Sequence, residues 1–303
     1  MRLDKMIEKR TDLALEQHEI HAKDGVLDGV LLESESINGF EITHVTVVDC
    51  EGERITGKPK GNYVTVDIGR VWEYSGSRFE ECARTLADEI KKLIPDSTKS
   101  ALIAGLGNRN ITSDSIGPRA ASGIIVTHHL EKFNPELCNK AGFGDVSSIT
   151  PGVLGQTGIE SADIIKSITD CLKPDLVIAV DALASRRLSR LATTLQLSDT
   201  GISPGSGVQN HRHSINEQTL GVPTLSIGIP TVVDALTLAL DLLEDYSPDV
   251  LPDELTREAS SYFVTPKDSD VIIKEASRLI SLAINIALHN VEIKDIPEYL
   301  GPG

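Results

Sequence analysis

Polar and apolar positions change rhythm several times along the chain. Between residues 41 and 72 they alternate, in EITHVTVVD and again in NYVTVDIGRVW, which predicts a β ribbon with a turn at Cys50, Glu51, Gly52 and Glu53. From 79 to 93, Phe79, Cys82, Leu86, Ile90 and Leu93 recur at helical spacing. The texture then shifts to short unbroken apolar runs: SALIAGLGN at 100–108, DLVIAVDA at 175–182 and PTLSIGIP at 223–230, separated by longer helical patterns. Strands with no polar face are covered on both sides, so this alternation predicts an α/β fold. Its sheet is expected to be mostly parallel and flanked by helices, with an additional β-rich segment near the N-terminus.

Two helix starts are marked. Thr231-Val232-Val233-Asp234 has the spacing of a capping box and opens VVDALTLALDLL. Thr265-Pro266 opens another, in which Ile272, Ala276, Leu279, Ile280, Ala283 and Ala287 share one face up to His289. At residues 10–19, RTDLALEQHE permits a helix capped by Thr11. The polar stretch EDYSPDVLPDELTRE at 244–258 carries Pro248 and Pro252 and reads as an irregular surface excursion. No internal repeat or low-complexity tract interrupts the pattern.

Composition narrows the function. The chain has 303 residues, 40% of them hydrophobic, enough for a substantial core. Its net charge of −16 opposes a phosphate backbone and excludes nucleic acid as a direct ligand, leaving basic partners open. Cys50, Cys82, Cys138 and Cys171 stand singly, without a C-x-x-C pair, which suggests reduced thiols in a cytosol-like compartment. The charged leader has no apolar core, so no secretion signal is expected, and the longest apolar run, 232–243, is too short to span a membrane.

In open α/β sheets the chemistry gathers at the carboxyl ends of parallel strands. Asn108 and Asp114 follow the first apolar run. Asp181 ends the second, with Arg186, Arg187 and Arg190 close behind. Two carboxylates brought together can share one proton, one then serving as base toward water and the other as acid toward a peptide. They can equally hold a divalent metal with a third ligand. The competing reading makes Asp114 a helix cap and pairs Asp181 with an arginine. Other motifs are weaker. GLGN at 105–108 fails the dinucleotide fingerprint because Asn110 stands at the third glycine position. Ser206, in PGSG, lacks G-x-S-x-G spacing, and His211 and His213 have no third ligand beside them.

Longer strings carry a resemblance. GLGNRNITSDSIGP (105–118), TPGVLGQTGIES (150–161), VDALASRRLSRLATTLQLSDTGISPGSGVQNHR (180–212), LGVPTLSIGIPTVVDA (220–235) and FVTPKDSDVII (263–273) together resemble the germination protease of spore-forming bacteria. The resemblance runs in order from about residue 10 to 289. It implies an endopeptidase that degrades small acid-soluble spore proteins, needs no cofactor and acts in the developing forespore and the spore core. It further implies an inactive homotetrameric zymogen that removes a short propeptide between Asp12 and Leu13, giving a propeptide of 1–12 and one peptidase domain of 13–303. The family's proposed catalytic aspartates match Asp114 and Asp181. Gly107, Asn108, Arg186, Gly205 and Gly207 fall in the supporting loops, and the backbone N–H groups of the Gly-rich loops at 105–108 or 205–207 are candidates to hold an oxyanion. Ser113 stands where Pro is expected and Gln209 where Gly is usual.

The family is also similar to hydrogenase-maturation endopeptidases, in which the equivalent carboxylates bind a metal. A metal-dependent maturation peptidase and a non-catalytic acidic binding protein therefore stay open as alternatives.

Overall fold

The computed structural model describes residues 10–22, 25–205, 212–242, 259, 261–291 and 293–296. Among them the strands are β1 (Val30–Ile37), β2 (Phe40–Val47), β3 (Gly61–Asp67), β4 (Ser100–Gly105), β5 (Asp145–Ile149), β6 (Leu176–Ser185), β7 (Thr194–Ser198), β8 (Thr224–Asp234) and β9 (Phe263–Val264). The helices are α1 (Ala14–His21), α2 (Cys50–Thr56), α3 (Gly76–Leu93), α4 (Ile116–Ser122), α5 (His128–Phe133), α6 (Pro135–Ala141), α7 (Leu154–Thr157), α8 (Ser161–Leu172), α9 (Glu217–Leu220), α10 (Ala235–Leu242) and α11 (Ser269–Leu288).

All nine strands join one sheet in the order β1-β2-β3-β7-β8-β6-β4-β5, with β9 on β8. The α/β class is as expected and the sheet is mixed. β5, β4, β6 and β8 run parallel, whereas β1, β2, β3 and β7 pair antiparallel, as do β7 with β8 and β9 with β8.

The unbroken apolar strands face helices on both sides. Ala101 and Ile103 of β4 and Leu176, Ile178 and Val180 of β6 pack with α3, α4 and α11. The alternate residues Leu102, Ala104, Val177 and Ala179 pack with α8 and α9. Side chains alternate along a strand, so Asp181 follows the parity of Val177 and Ala179. A slip of one residue in β6 would drive Val180 into its place, and the two-sided core forbids that slip.

Several elements differ from the sequence expectation. The ribbon begins at Val30, earlier than residue 41, because β1 pairs along β2 as an edge strand with six of its eight residues exposed, a pattern with little apolar signal. The turn expected at 50–53 is α2. Asp49 caps it by accepting the Glu51 and Gly52 N–H groups, each at 3.0 Å, and Gly57 ends it at φ 65°. Thr231 to Asp234 do not open a helix. Their backbone stays in β8, paired with β6 and β9, and Asp234 alone caps α10 by accepting the Thr237 N–H at 2.8 Å. Asp268 stands at the N-cap of α11, three residues after Thr265. Thr11 is not a helix cap either, since Leu13 is the extended residue before α1. The stretch 244–258 lies outside the described residues.

Candidate active site

The loop after β4 is shaped by close approach. Gly107 has φ +106°, and a Cβ there would collide with the Asp114 carbonyl. A Cβ on Gly117 would meet the Leu106 and Val180 carbonyls. Only glycine lets the loop lie this tightly against β6, where the Leu106 N–H donates to the Val180 carbonyl at 2.8 Å. Asp114 ends a 3-10 turn, Thr112–Asp114, and its Oδ2 accepts the Asn108 N–H at 2.8 Å. Two further bonds pin the turn: Thr231 Oγ1 donates to the Ser113 carbonyl at 2.6 Å, and Thr112 Oγ1 donates to Asp270 at 3.0 Å.

Asp181 sits one residue beyond Val180 in β6, opposite Gly228 of β8, and is 5% exposed. Its Oδ1 accepts the neighbouring Ala182 N–H at 2.9 Å. Burial pushes its carboxyl well above the usual range, and the Asp114 charge adds to that push. Asp114 is raised too, chiefly by burial, but the Asn108 N–H and the Arg212 charge oppose the rise. Each carboxylate accepts one backbone N–H and each feels the Arg212 charge. What separates them is the deeper burial of Asp181 and the Asp114 and Asp12 charges that push it further up, so Asp181 is the better holder of a proton.

Both aspartates line a cavity of about 360 Å³, shared with Gly107, Ser113, Gly205, Arg212 and Asp12. Asp12 arrives on an extended segment laid against β6. Its N–H donates to the Ala184 carbonyl and its Oδ2 accepts the Ala184 N–H, both at 2.8 Å. Upstream, Arg10 pairs with Asp234 at 2.9 Å. Downstream, Leu13 is fully buried, and the Glu16 carboxylate accepts the Arg186 N–H at 2.6 Å and the Arg187 N–H at 3.0 Å.

Asp12, Gly107, Asp114, Asp181 and Gly205 thus converge, with the Asn108 backbone N–H on Asp114. Arg186 does not join them. Its guanidinium is buried and donates to Asp241 at 2.7 Å. Arg212 lines the same cavity as Asp181 and its charge opposes the rise of that carboxyl, and Asp181 lies within β6 because the strand continues to Ser185 along β8. Ser206, Gly207, Gln209 and His211 lie outside the described residues. His213 is exposed, 3.7 Å from Asp163. No group of three His, Cys, Asp or Glu side chains among the described residues is placed to hold a metal ion. Arg212 was missed in the sequence because the flanking histidines drew the metal reading, and nothing local to NHRH marks a cation that meets Asp114 and Asp181.

The family model described as germination protease matches residues 6–251. A germination protease of Clostridium perfringens is 40% identical over 97% of this chain and all of its own length. One from Caldanaerobacter subterraneus subsp. tengcongensis is 44% identical over 92% of this chain and 94% of its own. Among solved structures, a [NiFe] hydrogenase maturation protease from Thermococcus kodakarensis overlaps 66% of this chain and 98% of its own, at 17% identity and a TM-score of 0.36, too distant to carry an argument.

Proposed function

The chain belongs to the germination protease family, and on that premise we propose that it is an endopeptidase that begins the degradation of small acid-soluble spore proteins, made as a precursor that cuts itself between Asp12 and Leu13. The observation that carries this reading is the convergence of Asp12, Asp114 and Asp181 on one cavity, with the Asp12 backbone extended along β6. An extended peptide hydrogen-bonded to a strand is the form in which a protease holds a scissile bond.

In the proposed reaction Asp114 is the base and Asp181 the acid. Ionised Asp114 takes a proton from water as the water oxygen adds to the peptide carbonyl carbon, and protonated Asp181 delivers a proton to the departing amide nitrogen. The pair titrates as a unit, and one shared proton is the working state. The different surroundings of the two carboxyls favour this assignment over its reverse.

The same reading makes residues 1–12 a propeptide and 13–303 the peptidase, assembled as a homotetramer in the forespore and spore core. No helix among the described residues is long and apolar enough to cross a membrane. The test incubates a small acid-soluble spore protein with the full-length chain and with a form beginning at Leu13, and identifies the fragments by mass spectrometry. Fragments cut after acidic residues by the shortened form, and none with Asp114→Asn or Asp181→Asn, are the expected result. Normal cutting by both variants would remove the pair from the mechanism.

A further inference from the structure

The Asp12–Leu13 peptide group is held by side chains that lie outside the carboxylate cavity. Lys58, on the link between α2 and β3, donates from Nζ to the Asp12 carbonyl oxygen at 2.8 Å. Gln196, in β7, donates from Nε2 to the same oxygen at 3.2 Å. The other end of the Gln196 amide, Oε1, accepts the Ala14 N–H at 2.7 Å, so this one side chain spans Leu13 and grips the chain on both sides of the bond. The Leu13 N–H donates to Thr11 Oγ1 at 3.0 Å. Every polar atom of the bond is therefore engaged, and its carbonyl oxygen takes a cation and an amide.

Those two donors are unusual company for a peptide carbonyl. A resting carbonyl is satisfied by one neutral N–H, and a side-chain ammonium desolvated in the interior is costly to keep there. Burial draws the Lys58 ammonium down from its ordinary value while the Asp12 charge opposes that fall. An ammonium aimed at a carbonyl oxygen stabilises most strongly the state in which that oxygen has become an anion.

We propose that Lys58 and Gln196 form the oxyanion cradle for cleavage of the Asp12–Leu13 bond. The inference rests on the self-processing reading above and adds the two residues that act on the carbonyl oxygen. In the step, the water oxygen bonds to the Asp12 carbonyl carbon and its proton passes to Asp114. The carbonyl π electrons move onto oxygen, where Lys58 and Gln196 receive the charge. As the carbonyl re-forms, the carbon–nitrogen bond breaks toward Leu13 nitrogen, which takes its proton from Asp181. The products are a carboxylic acid at Asp12, which keeps the second water proton, and a free amine at Leu13, with Asp114 now protonated and Asp181 ionised and no reactant beyond water.

Gln196 sits in β7 between β3 and β8, so its position is set by two neighbouring strands, and Lys58 lies between α2 and β3. The β ribbon thus brings Lys58, remote in sequence, to the site.

The experiment follows release of the N-terminal peptide from the full-length protein by mass spectrometry, for wild type, Lys58→Met, Lys58→Arg, Gln196→Glu and Asp181→Asn. Hydrogen exchange of the Asp12 and Ala14 amides is measured on the same samples. Removing one oxyanion donor slows such reactions about 10²–10³-fold. Lys58→Met is expected to fall by that factor and Lys58→Arg to recover part of it. Gln196→Glu keeps an acceptor for the Ala14 N–H and loses the donor, so it is expected to slow cleavage while the Ala14 amide stays protected. A merely structural role would show the reverse, with protection lost in step with rate. Processing at the wild-type rate in Lys58→Met and Gln196→Glu, with Asp181→Asn silent, overturns the cradle and leaves the self-processing reading standing. A wild-type chain that never releases the peptide overturns both.

Discussion

Asp12 and Ala184 exchange two hydrogen bonds: the Asp12 N–H donates to the Ala184 carbonyl and the Ala184 N–H donates to the Asp12 carboxylate, each at 2.8 Å. A backbone pair of this kind ordinarily needs two strands. Here one residue supplies both halves, because the aspartate side chain is short enough to turn back onto the strand it lies along. The arrangement gives the residue before the proposed cut a chemical requirement, an acceptor at that reach.

Asp12→Ala removes the acceptor and leaves the Ala184 N–H without it, a loss of about 1–3 kcal/mol for a buried donor. Self-processing is expected to slow by about ten- to a hundredfold, at about 1.4 kcal/mol per factor of ten. Asp12→Asn keeps an acceptor and should lose less. A time course of peptide release by mass spectrometry compares the three chains, and equal rates would show that the carboxylate plays no part in seating the bond.

Gly107→Ala places a methyl against the Asp114 carbonyl at a φ of +106°, which L-residues seldom adopt. The cost is about 1–3 kcal/mol of strain, or displacement of the Asp114 turn. Both outcomes are visible: the thermal midpoint falls, and cleavage falls further than the midpoint accounts for. Gly57→Ala, also at positive φ but with open space around it, is the control, expected to lower the midpoint and spare activity.

The raised carboxyl of Asp181 makes stability depend on pH in a defined direction. Between the unfolded carboxyl value, about 3.9, and the folded one, the native chain holds the proton more tightly than the unfolded chain, so stability falls as pH rises through that window. Asp181→Asn cannot ionise and should escape the fall. Relative to wild type it should gain about 1.4 kcal/mol for each pH unit over which only the folded state keeps the proton. Urea midpoints taken from pH 4 to pH 7 test this, and parallel curves for the two proteins would contradict the assignment.

Glu16 is a buried carboxylate that accepts from the Arg186 and Arg187 backbone and the Thr11 hydroxyl, and lies 3.3 Å from Arg190. Breaking one partner of a buried pair costs about 3–5 kcal/mol. Glu16→Ala should lose that much in urea denaturation of both the full-length chain and the form beginning at Leu13, because three of the four contacts lie on the retained side of the bond. A loss confined to the full-length form would place the role of Glu16 in Thr11 alone.

The sequence made the parallel half of the sheet legible because β4, β6 and β8 are unbroken apolar runs, and it brought Asp114 and Asp181 forward because both follow such runs. It concealed what depends on distant partners. β1 carries its polar side chains outward on an edge, and α2 was hidden because C-E-G-E reads as a turn until Asp49 is seen capping it. Lys58 and Gln196 stand 46 and 184 residues from Asp12, and nothing local to KPKG or TLQLS marks a side chain that meets a carbonyl near the other end of the chain. The 10–19 stretch is extended through Leu13 and helical from Ala14, so the helix legible there starts three residues after Thr11.

The docking of Arg10 on Asp234 and of Asp12 on Ala184 also fixes an order of events in time. The partners of this early segment are synthesised some 170 to 220 residues later. A nascent chain emerging from a ribosome has no strand on which to seat its own start, and the seat is complete only when β6 and β8 have paired. The proposed cleavage of the Asp12–Leu13 bond in this setting therefore waits for the rest of the molecule, and under that proposal an incompletely translated chain would keep residues 1–12.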